Sequence, residues 1–112
     1  MPGDRDVTPE QVEVLRREED AQLIDVREPD EWAAGRIAGA RHIALGEVAA
    51  RASTIEQDRP VVFYCRVGSR SAMAADAFRH AGYEAYSLGG GLEAWAGEGR
   101  PLEPEDGSVA AH

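Results

Sequence analysis

The chain has 112 residues, which fits one domain with a single small core. Apolar residues make up 43% and charged residues 29%, the balance of a globular protein, and no apolar run nears the roughly 20 residues of a membrane span. The net charge is −9, which argues against nucleic acid as a partner; all 12 basic residues are arginine, so any positive site must use guanidinium groups.

Residues 1–6 are charged, contain Pro2 and Gly3, and are expected to be flexible, with no apolar signal-peptide core. Thr8, Pro9 and Gln11 predict a helix start: a side-chain cap, a proline at the first helical position, and a partner three residues past the cap. The short apolar run at 21–26, AQLIDV, predicts a buried strand. Pro29 should open a short helix that Gly35 stops. A weak strand is expected over 40–45 and a helix over 46–55. The run VVFYC, 61–65, is rich in β-branched and aromatic residues and predicts the strongest strand. The alanine-rich stretch after it predicts a helix ended by Gly82. A strand over 83–88, a GGG turn and a short helix follow, and 102–112 reads as a flexible tail.

Strands alternating with helices predict an α/β fold with a mostly parallel central sheet of about five strands, flanked by helices in three layers. The expected division is a flexible 1–6, one domain over 7–101 and a flexible 102–112. Sites in such folds form beyond the carboxyl ends of the strands, and Cys65 lies at such an end.

Cys65 is the only cysteine, so the chain can form no internal disulfide and a reducing cytoplasm is the expected compartment. Three readings of this residue are open: a small buried hydrophobe, a metal ligand, or a nucleophile. The residues after it favour the last. Gly68 permits a tight turn whose N–H groups can point inward as an anion nest. Arg66 and Arg70 add positive charge, Ser69 is suited to cap the helix, and the helix N-terminus favours a thiolate. A metal is not expected, because no second cysteine exists and His42, His80 and His112 lack ligand spacing. His42 reads as a packed or hydrogen-bonded structural residue. Gly89–Gly91 lacks the spacing of a dinucleotide fingerprint and reads as a turn passing close to the loop after Cys65. Trp32 and Trp95 read as core or rim packing, with a substrate mouth as the other option.

Three segments in order then resemble the rhodanese family of sulfurtransferases: LIDVREPDEWAAGRIAGARHIAL, VVFYCRVGSRS and AYSLGGGLEAW. The resemblance runs from about Val7 to Pro101. It implies a rhodanese-like fold, and a Cys65 that takes sulfur from a donor such as thiosulfate as a persulfide and yields it to cyanide or a thiol. It further implies that the backbone of Arg66, Val67, Gly68, Ser69 and Arg70 binds the sulfur and oxyanion, and that Arg66 and Arg70 attract the donor. Arg27 matches the family's Asp-x-Arg arginine, with structural pairing and substrate binding both open, while Asp25 reads as a buried structural acid. The chain departs from the family at Arg36, where histidine is usual, and at Ala38, where proline is common.

Related phosphatases and arsenate reductases place an arginine six positions after the cysteine. Here that position is Ser71 and the arginine is Arg70, five on, so the loop is a residue shorter and suits sulfur over phosphate. The alternative functions are a carrier or partner-binding module without turnover and, after it, a phosphatase-like enzyme. No cofactor and no membrane partner are expected. The partners implied are a small anionic donor, an external thiol or cyanide acceptor and possibly a protein donor, for a monomer or weak dimer.

Overall fold

The computed structural model describes residues 6–111. Residues 1–5 of the expected flexible N-terminus, and His112, lie outside the described residues. Asp6 does not belong to a flexible arm: with Val7 it forms strand β1 (Asp6–Val7), paired to the last strand.

The elements follow as α1 (Pro9–Glu19), β2 (Gln22–Asp25), α2 (Pro29–Ala34), β3 (Arg41–His42), α3 (Leu45–Val48), β4 (Val61–Tyr64), α4 (Ser69–His80), β5 (Ala85–Leu88) and α5 (Gly91–Gly97). The described strands form one parallel sheet of five in the order β1-β5-β4-β2-β3. The expected helix starts hold. Thr8 Oγ1 accepts from Gln11 N at 3.1 Å while Gln11 Oε1 accepts from Thr8 N at 2.8 Å, and Pro29 opens α2.

The expected helix over 46–55 is shorter. α3 ends at Val48, and a single 3-10 turn covers Ala52–Thr54. Thr54 explains part of this, since its hydroxyl donates to Arg51 O at 2.6 Å, a local bond that competes with continuing the helix. Arg41 also donates to Thr54 O at 3.0 Å, taking a carbonyl that a longer helix would use.

β4 is central, and Val61 to Cys65 are all fully buried. Strand side chains alternate between faces. Val61, Phe63 and Cys65 therefore join Ala74, Ala75 and Phe78 of α4, whereas Val62 and Tyr64 join Leu92 and Trp95 of α5. This two-sided burial explains the uninterrupted apolar run.

The stretch after Pro101 is not loose. Arg36 N donates to Glu103 O at 3.0 Å and Glu103 N to Arg36 O at 2.7 Å. Ser108 N donates to Ala34 O at 2.8 Å, and Leu102 and Val109 pack on the α5-side core. Two partly buried apolar contacts and three backbone bonds outweigh the solvated appearance of the sequence.

Candidate active site

The loop between β4 and α4 carries the site. Gly68 takes φ 110°, a left-handed turn that an L side chain rarely adopts. The turn brings its own N–H to 3.1 Å from Cys65 Sγ. It also makes Gly68, not Ser69, the N-cap of α4; Ser69 is the first helical residue and gives no cap. The expected capping role of Ser69 therefore fails, because the turn that aims the loop N–H groups inward starts the helix one residue earlier.

The backbone N–H groups of Val67, Gly68 and Ser71 and the Ser71 hydroxyl converge on the sulfur. Ser71 Oγ stands 3.6 Å from Sγ. Burial pushes the Cys65 thiol up, but the Ser71 hydroxyl and these N–H groups outweigh it, so the thiol titrates below its ordinary value of 9.0. Cys65 is itself inaccessible to solvent, so reagents must enter through the mouth of the loop.

Both loop arginines are held by acids. Arg70 Nη1 and Nη2 donate to Glu31 Oε1 and Oε2 at 2.8 and 3.0 Å, a bidentate pair with a fully buried carboxylate. Arg66 Nη2 lies 2.8 Å from Glu93 Oε2 on α5. Each guanidinium thus has its charge balanced beside the cradle. Val67 and Met73, at 48% and 64% exposure, are the exposed large hydrophobics around the start of α4.

Arg27 is fully buried. Its Nε donates to Asp25 Oδ1 at 2.9 Å and its Nη2 to Asp25 Oδ2 at 2.6 Å and Gly35 O at 2.7 Å. Asp25 Oδ1 also accepts Arg27 N at 2.9 Å, so the pair ties the end of β2 to the end of α2, which carries Glu31. His42 Nε2 lies 2.7 Å from Arg27 O, and its ring stacks on Trp32 at 5.0 Å. Trp95 is buried and donates from Nε1 to Pro101 O at 3.0 Å. Both tryptophans therefore pack, and among the described residues no group of three or more histidines, cysteines or carboxylates could hold a metal.

The glycine turn does approach the loop. Gly91 has φ 60°, and a Cβ there would sit 2.5 Å from Arg66 C and from Cys65 O. The following N–H groups bind the loop from behind: Leu92 N donates to Cys65 O at 2.8 Å and Glu93 N to Arg66 O at 3.1 Å.

Sequence reasoning missed Glu31, Glu93, Ser71 as a sulfur partner, and Ser87. Glu31 carried a signal: it stands three residues past the Glu28 cap, and Glu28 N donates to its Oε1 at 3.0 Å. The other three meet the site only through the fold. Ser87 Oγ lies 2.7 Å from Ser71 Oγ, yet the two are separated by 16 positions.

Comparison with known proteins places the family and the fold. The family described as Rhodanese-like domain matches residues 8–98. The uncharacterized protein YqhL of Bacillus subtilis is 47% identical over 79 residues, 70% of this chain. The match spans 63% of YqhL, less than two thirds of that protein. Thiosulfate sulfurtransferase GlpE of Pseudomonas aeruginosa is 41% identical over 103 residues, 91% of this chain and 89% of GlpE. A crystal structure of a rhodanese-related protein from Thermoplasma volcanium superposes with TM-score 0.80 at 28% identity, covering 88% of this chain and 96% of that one.

Proposed function

The chain belongs to the rhodanese-like family, and from that premise we propose that it is a sulfurtransferase working through a Cys65 persulfide. The observation that carries the reading is the convergence of the Gly68 N–H and the Ser71 hydroxyl on a buried sulfur. The Cys65 thiolate attacks the outer sulfur of a donor such as thiosulfate. The new S–S bond forms as the donor's S–S bond breaks, and sulfite leaves with the electron pair. An acceptor thiolate or cyanide then attacks the outer sulfur and returns Cys65 as thiolate. The N–H groups of Arg66 to Arg70 supply the positive potential at the moment charge shifts.

Arg27 and Asp25 act as an internal brace for α2, and Arg70 and Arg66 fix the loop through Glu31 and Glu93. That pairing also favours a second reading. With both guanidinium charges balanced by acids in a −9 protein, a free dianionic donor gains little long-range attraction. A carrier module loaded by a protein persulfide fits that field.

Intact mass after thiosulfate, then after cyanide or a thiol, tests both. The enzyme reading expects a gain of one sulfur atom that acceptor removes, with no gain in Cys65→Ala. Loading by a cysteine desulfurase but not by thiosulfate would select the carrier. No loading by either would overturn the persulfide reading.

A further inference from the structure

We propose that Ser87, on β5 and outside the catalytic loop, is a positioning residue that aims the Ser71 hydroxyl at the Cys65 sulfur. The proposal rests on the reading of Cys65 as the sulfur carrier. Strand register brings Ser87 to the site: it pairs with Phe63, whose side chain shares a sheet face with Cys65. Ser71, in the first turn of α4, packs over that same face. Both serines are buried, at 0% and 1% exposure, and their hydroxyl oxygens are 2.7 Å apart.

Counting protons fixes the direction of that bond. A serine hydroxyl donates one proton and can accept two. Ser71 Oγ has two further neighbours, Gly68 O at 3.2 Å and Cys65 Sγ at 3.6 Å. The Ser87 hydroxyl has no other hydrogen-bond partner among the described residues. Were Ser71 to donate to Ser87, the Ser87 proton would be a buried donor without an acceptor. Ser87 therefore donates to Ser71. The Ser71 proton is then left to choose between the Gly68 carbonyl and the sulfur.

The neutral thiol is a weak acceptor, so the proton faces Gly68 O. The thiolate is a strong acceptor, and rotation of one hydroxyl brings the donor to the charge as it forms. The bond received from Ser87 polarises the Ser71 O–H and strengthens its donation. Ser87 thus acts on the sulfur through Ser71, never by touching it.

Cys65 is the only cysteine, so the ultraviolet thiolate absorbance against pH, corrected for tyrosinate from its separate long-wavelength band, reports this group. Ser87→Ala, Ser71→Ala, the double variant and Ser87→Thr would be compared with wild type, with folding checked by circular dichroism. Ser87→Ala is expected to raise the midpoint by about half a pH unit and Ser71→Ala by about one unit. The double variant should match Ser71→Ala, because Ser87 has nothing left to act through. Ser87→Thr, which keeps the hydroxyl, should restore the wild-type midpoint.

The proposal is overturned if folded Ser87→Ala leaves the midpoint unchanged, or raises it equally in the presence and absence of Ser71. Should Ser87→Ala fail to fold, Ser87→Thr against the near-isosteric Ser87→Val makes the same comparison. The titration needs no sulfur donor. Absent sulfur loading with a normal Ser87 effect would overturn the persulfide reading alone; loading with no Ser87 effect would overturn this one.

Discussion

Cys65 has no exposed surface, and burial alone would leave it a protonated, inert thiol. Four donors reverse that balance: the Ser71 hydroxyl and the N–H groups of Ser71, Gly68 and Val67. The rate of alkylation by iodoacetamide against pH should therefore show a midpoint below 9.0, the ordinary thiol value. A midpoint at or above that value would mean burial wins. The same shift has a sign for stability. The folded value is depressed, so the thiolate stabilises the fold above the ordinary value of 9.0 that the unfolded chain would show. That contribution is lost as pH falls through the folded value. Arg70→Ala removes a bidentate partner from the buried Glu31, which should cost about 1.5–3 kcal/mol in denaturant unfolding. It should also slow sulfur loading from thiosulfate, by loosening the loop. Normal loading in that variant would show that the Glu31 pair serves stability alone.

Elements meet at glycines whose side-chain space is already taken. Gly91 abuts the backbone of Cys65 and Arg66 and holds φ 60°, so Gly91→Ala should force α5 away from the loop. Steric overlap with backbone, added to a left-handed conformation, predicts a loss of at least about 2 kcal/mol and a strong fall in sulfur loading. Gly46 is the control. It lies in α3 with no positive φ, and a Cβ added there would meet nothing within 4 Å. Gly46→Ala should raise stability by about 0.5–1 kcal/mol and leave loading unchanged. Denaturant midpoints of the two variants should therefore move in opposite directions. If both fall, close approach is not what distinguishes Gly91. The GGG turn was legible as a turn near the loop, but its three glycines look alike in sequence. Only the packing tells which have no room: a Cβ on Gly90 would sit 2.7 Å from Ala94 Cβ, and one on Gly91 would meet the loop backbone itself.

Across the whole molecule, the chain closes on itself at two places outside the Cys65 loop. β1 extends the sheet beside β5, and residues 102–111 lie over the end of α2. Gly35 shows how tightly: a Cβ there would sit 2.4 Å from Ser108 O. Because Gly35 O also accepts from Arg27 and α2 carries Glu31, this clamp connects to the loop through the Arg70 pair. Removing residues 102–112 should lower the melting temperature by about 5–10 °C in calorimetry, the scale of one to two kcal/mol in a domain this size. An unchanged melting temperature would mean the clamp adds nothing.

Features that depend only on near neighbours along the chain were legible from its residues. The Thr8–Gln11 cap, Pro29 and Gly35 around α2, the buried run of β4 and the short CRVGSR loop all follow from local chemistry and spacing. The position of Cys65 at a strand end was legible for the same reason, since strand and turn propensities act over a few residues. Tertiary structure decided which charges meet. Arg66 and Arg70 read as free positive groups until the fold set Glu93 and Glu31 beside them, across 27 and 39 positions. It decided that Arg27 closes on Asp25 in the interior, that the tail packs, and that α3 stops early. It also set Ser87 against Ser71 by strand register. Hydrogen bonds and ion pairs between distant segments depend on distances that only the packed sheet establishes, and no local pattern along the chain encodes them.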